Sequence, residues 1–254
     1  MKLADHVQSI KQLTRKAFDN QFSRLGIGAA KLLDAGLLAP ELQTKRAKIE
    51  ELVRNHEGET GTFAHAREKA LDELAFTLFN RIAAIKVMEA RTLFPEVITK
   101  RPENGDRSFQ HRDWLEQHPH RRDDELEGLR SFIKDAFDRL GTEIALYDRT
   151  YPYALLPHTV ELNEIIDAFN AVEKDRDIDD QIWASDDILG WLYESYNIDK
   201  KREHKDSGAK TEYHKVSLQS QVYTPRWVVE APRIDGMMQN VQRWLQPSLI
   251  FRYA

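Results

Sequence analysis

The sequence contains no cysteine, which excludes disulfides, thiolate zinc sites and a cysteine nucleophile together. It has no long hydrophobic run. The N-terminus, MKLADHVQSIKQLTRK, lacks the apolar centre of a signal peptide, and no later stretch reaches the ~20 apolar residues that a membrane span needs. An excess of positive charge is also missing: 37 Lys and Arg face 42 Asp and Glu, a formal net charge of -5. A surface that is basic throughout is therefore excluded, and any contact with nucleic acid must come from a local patch. No G-x-x-x-x-G-K-[ST], H-E-x-x-H or G-x-S-x-G spacing occurs, so the phosphate loop, the helical zinc protease pair and the nucleophile elbow are all absent. These absences predict a soluble, cytoplasmic chain with no membrane partner and no catalytic constellation of its own.

What is present is charge and helical periodicity. Charged residues make up 31% of the chain, above the ~25% of an average domain, and mean hydropathy is -0.61. Both suit thin helical layers with much solvated surface. Leu3, Val7, Ile10, Leu13, Ala17, Phe18, Phe22 and Leu25 recur at helical spacing and predict a first helix over 3–25. A second is expected from Pro40 through Leu42, Ile49, Leu52 and Val53, stopping at Gly58. The strongest runs over 62–93, where Leu71, Leu74, Leu78, Phe79, Ile82 and Ile85 form an apolar face wide enough to be covered on more than one side. Residues 99–124 are polar and rich in turn formers and are expected to form a long surface excursion. Helix resumes over 125–140, with Gly141 as its stop. The segment through Tyr151, Pro152 and Pro157 reads as packed irregular chain, and helices follow near 159–171 and 185–196. The charged run DKKREHKDSGAK opens a linker.

Gly26-Ile27-Gly28 looks like a nucleotide-binding glycine pair, yet it follows an amphipathic helix and not the buried strand such a loop requires; a helix cap is the better reading. His111, His118 and His120, with Asp113, Asp123 and Asp124 nearby, match no standard metal spacing, so no metal is expected. Lys11, Arg15, Lys16 and Arg24 line one side of the first helix, and Arg121 and Arg122 sit in the polar excursion. These six are the candidates for holding DNA phosphates, against the plainer reading of a solvated face. Trp183, Trp191, Tyr193 and Tyr196 are dense for so short a stretch. Aromatics stack on bases, but at this spacing a packing role against the core or a neighbouring domain is favoured.

Three stretches in order carry a resemblance: LAFTLFNRIAAIKVMEAR (74–91), DDILGWLYESYN (186–197) and SQVYTPRWVVE (220–230). Together they resemble the N-terminal region of the PglX adenine-specific DNA methyltransferases of BREX phage-defence systems, and more distantly the fused restriction-methylation enzymes of the type II group. Within the first, the positions that recur in the family are Phe79-Asn80-Arg81 and Met88-Glu89. The third resembles the start of the methyltransferase domain, where Thr224 caps a helix whose first residue is Pro225.

The resemblance implies a mainly α fold. A multi-helix N-terminal domain would occupy 1–198, with its polar excursion at 99–124. A charged linker would follow over 199–219, and 220–254 would be a truncated start of the methyltransferase domain plus a divergent tail. It implies methyl transfer from S-adenosylmethionine to the N6 amine of an adenine flipped from the duplex. Tyr223, Thr224 and Pro225 would stand at the edge of the cofactor pocket, where free helix N–H groups suit the cofactor's carboxylate. No Asn-Pro-Pro or Asp-Pro-Pro occurs, so no catalytic residue is assigned, and no bound cofactor is expected for this chain alone. The implied partners are DNA, other BREX subunits and the rest of the methyltransferase domain. The alternative is a stand-alone helical interaction or regulatory protein.

Overall fold

The computed structural model describes residues 1–29 and 32–198. Among them are seven α-helices and no strand: α1 (Leu3–Arg24), α2 (Pro40–Thr60), α3 (Phe63–Ala90), α4 (Phe109–Gln117), α5 (Leu129–Leu140), α6 (Thr159–Val172) and α7 (Ile188–Tyr196). The mainly α fold follows. The expected linker at 199–219 and the expected methyltransferase start at 220–254 lie outside the described residues. No described helix is long and apolar enough to cross a membrane.

α3 is the axis. Leu71, Leu74, Leu78, Phe79, Ile82 and Ile85 are all buried, because α1 and α2 cover one side while α6 and the turn at Ile182–Ala184 close another. α1 in turn packs on α6 and α7, and α5 leans on α6. Phe79 meets Phe169 of α6 at 5.4 Å between ring centroids, and Phe169 meets Trp183 at 5.9 Å. Each large apolar side chain buried in this way contributes about 1.5–3 kcal/mol, so the three-way junction around Phe169 anchors the module.

The helix ends follow local chemistry. α1 stops because Gly26 adopts φ +71. Its N–H donates to the Ser23 carbonyl at 3.0 Å, and that of Ile27 donates to the Phe22 carbonyl at 2.9 Å, a Schellman cap that accounts for Gly26. Two expectations are corrected. Gly58 does not end α2; the helix runs through it to Thr60, and Gly61, at φ +72, makes the stop. Residues 99–124 do not form a long surface excursion. They hold α4, capped by the Ser108 hydroxyl on the His111 N–H, and bury His111, Trp114 and Leu115 against the body.

Candidate functional site

Three polar side chains of α3 reach out to hold irregular chain in place. The Arg81 guanidinium, 3% exposed, donates to the carbonyls of Leu146 and Asp148. Those groups belong to the irregular segment before α6, where no ladder can satisfy them. Glu89, in the last turn, accepts from the N–H groups of Val97, Ile98 and Thr99 at 2.6, 2.8 and 3.1 Å, and from the Thr99 hydroxyl at 2.6 Å. Lys86, one turn earlier on the same face, donates to Thr99 Oγ1, Asn170 Oδ1 and Glu173 Oε1 at 2.7, 2.9 and 3.0 Å. Burial pushes the Lys86 ammonium below the ordinary lysine range and the Glu89 carboxyl above its own. With every proton and most lone pairs matched, this is a structural clamp that ties α3 to α6 through residues 97–99.

The second arrangement joins α3 to α7. Tyr196 packs on Phe79 at 4.8 Å and Phe76 at 5.2 Å, and Arg91 donates to the Ser185 carbonyl and to Asp186 ahead of α7. α1 completes the joint: Lys11 Nζ donates to the Tyr196 carbonyl at 3.0 Å and lies 4.9 Å from the centre of its ring, while Gln8 bonds the Ser195 carbonyl. The aromatic cluster therefore divides. Trp183 and Tyr196 are core, whereas Trp191 and Tyr193 are more than a third exposed. Trp191 borders an open cleft of about 500 Å³ between α7, the start of α1 and residues Asp177–Ile182.

The third is a basic corner around the turn Arg101–Arg107. Arg107 forks onto the Glu127 carboxylate through Nε and Nη2, and its Nη1 donates to the Asn104 carbonyl at 3.0 Å. Arg112 donates to the side-chain oxygen of the same Asn104 at 2.9 Å, so the two guanidiniums converge on one residue. Gly105 makes the approach possible: a Cβ there would stand 2.6 Å from Arg107 Nη1, and its φ is +66. Opposite, Leu126, Glu127 and Gly128 all carry left-handed backbone, at φ 48, 53 and 68. His111 Nε2 meets the Glu127 carbonyl at 3.0 Å and its ring stacks on Phe132. The Arg107 fork holds the Glu127 carboxyl below the usual carboxylate range.

The six cationic candidates fall in different places. Arg15 pairs with Glu68 and Asp72 of α3, Arg24 pairs with Glu161 of α6, and Lys11 serves the joint with α7. Lys16 is exposed on α1. Arg121 pairs with Asp124 at 2.8 Å and passes over Gly128, and Arg122 is exposed beside it. Lys11, Arg15 and Arg24 thus bridge helices, and of the six Arg121 and Arg122 neighbour the basic corner. Tyr223, Thr224 and Pro225 lie outside the described residues. His118 stacks on Trp114 at 4.5 Å and bonds its carbonyl, and no group of three or more His, Asp or Glu side chains among the described residues is placed to hold one metal ion. Sequence reasoning missed Arg107 and Arg112; the Asn104-Gly105-Asp106 turn was the available signal, since it brings the flanking residues together. No family model matches the chain, and no curated protein or solved structure is significantly similar to it.

Proposed function

We propose that the chain is the N-terminal helical module of a BREX PglX-type adenine-specific (N6) DNA methyltransferase. In this reading it grips DNA or partner subunits and does not transfer methyl groups alone. S-adenosylmethionine belongs to the full-length enzyme, with Tyr223, Thr224 and Pro225 at the edge of its pocket. One observation carries the reading. The stretches 74–91 and 186–197, which this reading takes as resembling that family, are far apart in sequence yet meet in one joint, where Tyr196 packs on Phe76 and Phe79 and Arg91 holds Ser185 and Asp186. A shared packing joint is a reason for a family to keep both stretches together, and that supports the reading.

Two measurements test it. The purified chain, incubated with labelled S-adenosylmethionine and duplex DNA, is expected to transfer no label; robust methylation overturns the assignment of a non-catalytic module. The DNA that follows the codons for residues 220–230 is expected, on sequencing, to carry a glycine-rich cofactor loop and an Asn-Pro-Pro-Tyr-like motif. Their absence there overturns the family.

A second reading, a stand-alone helical interaction or regulatory protein, draws on the outer face of α7. Leu189 and Trp191 are 53% and 38% exposed beside the open cleft. Such a protein binds another protein and has no reason to bind DNA, so duplex binding by the chain would favour the first reading over this one.

A further inference from the structure

The basic corner holds an anion already, and that anion is part of the chain. Glu127 occupies the Arg107 fork by placing a non-glycine residue in left-handed backbone, next to Leu126 in the same conformation. Left-handed backbone is unfavourable for L-residues with a Cβ, worst for those without a short polar side chain. Two such residues in succession persist only where surrounding contacts hold them, and strain of this kind collects at switch and ligand sites. The holding contacts are the fork itself, the His111 bond to the Glu127 carbonyl, the turn bonds from the Glu127 N–H to the Asp124 carbonyl and from the Leu129 N–H to the Leu126 carbonyl, and the packing of Gly128 under Trp114 and Arg121.

From this geometry we infer that Arg107 and Arg112 form a phosphate-oxyanion site, which Glu127 fills in the free protein and vacates when a phosphate group binds. A planar guanidinium presents paired donors that match a phosphate as well as a carboxylate, and the incoming group carries more acceptor oxygens than Glu127 can offer. Asn104 fixes both guanidiniums through its two oxygens, so the donors are preorganised and lose little side-chain freedom on binding. Both side chains are partly exposed, at 32% and 44%, and Arg112 also pairs with Asp113 at 3.2 Å, a second carboxylate that an incoming phosphate would compete with. Arg121 and Arg122 flank the turn and extend the positive surface. Once Glu127 leaves, residues 126–127 are free to relax while the His111 bond and Gly128 hold the far end. The site stands on the geometry alone; that a DNA backbone supplies the phosphate rests on the function proposed above.

The test uses the whole chain with two probes, inorganic phosphate and a short DNA duplex, at low salt. Nε–H resonances of the arginine side chains report on the site, and backbone hydrogen exchange reports on 126–128. Glu127→Gln keeps a hydrogen-bonding side chain and removes the competing charge. It is expected to bind both probes roughly three- to fivefold more tightly than the parent chain, the factor that the loss of one exposed ion pair corresponds to. Glu51→Gln, an equal charge change on the exposed side of α2, is expected to change nothing. Arg107→Lys keeps the charge but not the fork, and is expected to bind more weakly than the parent. Exchange at 126–128 is expected to quicken on saturation.

A Glu127→Gln chain that binds no more tightly than the parent, or an Arg107→Lys chain that binds as well, overturns the proposal. So does an equal gain from Glu51→Gln, which would mark a general charge effect. Binding of phosphate without the duplex supports the site and removes DNA as its source. Binding of neither probe overturns the site itself.

Discussion

The Tyr147 hydroxyl donates to the main-chain carbonyl of Arg81 at 2.7 Å, and the Arg81 guanidinium reaches back to the carbonyls of Leu146 and Asp148 at 2.9 Å each. The pair is reciprocal: a helix side chain satisfies the loop, and the loop's tyrosine satisfies the helix backbone. Burial pushes the Tyr147 hydroxyl far above the ordinary phenol range, so it stays a donor. The arrangement also places the Arg81 guanidinium over the rings of Phe137 and Tyr147, which brings α5 into the same contact.

Substitutions at the two ends of this pair should differ in cost. Tyr147→Phe removes one hydrogen bond but leaves a carbonyl that is already inside a helix, and is expected to cost about 1 kcal/mol. Arg81→Met strands two loop carbonyls in a buried place and is expected to cost about 3 kcal/mol. Urea denaturation of both variants measures the difference. Equal costs would mean that the loop carbonyls find water when the arginine is gone.

The α3–α7 joint predicts a graded response at Tyr196. Its ring is 4% exposed and rests on Phe76, Phe79 and the Lys11 ammonium. Tyr196→Phe keeps those contacts and is expected to cost well under 1 kcal/mol. Tyr196→Ala opens a cavity between helices and is expected to cost about 3 kcal/mol. Backbone hydrogen exchange over 186–197 should quicken in the alanine variant before it does so in α3. Uniform quickening across the chain would show that α7 is not a separable element.

The long helices were legible because their apolar residues repeat over many turns. α3 alone carries Leu71, Leu74, Leu78, Ile82 and Ile85 on one broad face, and α5 repeats Phe132, Ile133, Ala136, Phe137 and Leu140. α4 was not legible: over nine residues it buries only His111, Trp114 and Leu115, too few for a period to emerge from its charged neighbours. Gly58 misled because mid-helix glycine costs only about 1 kcal/mol, while the left-handed stop fell to Gly61. The partners of the cations on α1 were not legible, for a different reason. That Arg15 and Arg24 face acids on α3 and α6, 53 to 137 positions away, is a fact of packing that helical spacing on α1 does not contain.

Leu126 offers a test of backbone strain that is free of core effects. It sits at φ 48 and ψ 41, and its side chain is 44% exposed, so little packing is lost with it. An L-residue held left-handed costs about 1–2 kcal/mol, and glycine escapes that cost. Leu126→Gly is therefore expected to raise stability by up to about 1 kcal/mol, part of the gain being lost to a more flexible unfolded chain. Gly105→Ala should do the reverse, because the new Cβ meets Arg107 Nη1 at 2.6 Å as well as the positive φ. Thermal melts of the two variants are expected to move in opposite directions. Shifts of the same sign would mean that the two turns do not carry the strain assigned to them.

His111 should make the basic corner sensitive to mild acid. The ring is 4% exposed and stacked on Phe132 at 4.7 Å, and its Nε2 hydrogen points to the Glu127 carbonyl, which fixes the neutral tautomer. Burial lowers its pKa, and Arg107 and Lys100 push the same way, against the Glu127 carboxylate and the backbone bond. The folded value therefore lies below the unfolded value of 6.5. Between the two, the unfolded chain binds a proton that the folded chain does not, so stability is complete above that range and falls as pH drops through it. The loss is at most about 1.4 kcal/mol per pH unit. His111→Gln retains a donor for the Glu127 carbonyl and does not titrate. Denaturant midpoints at about pH 7.5 and about pH 5.5, on either side of the unfolded histidine value, should fall further for the parent chain than for His111→Gln. Parallel losses in the two proteins would place the acid sensitivity elsewhere and leave the ring as a packing element only.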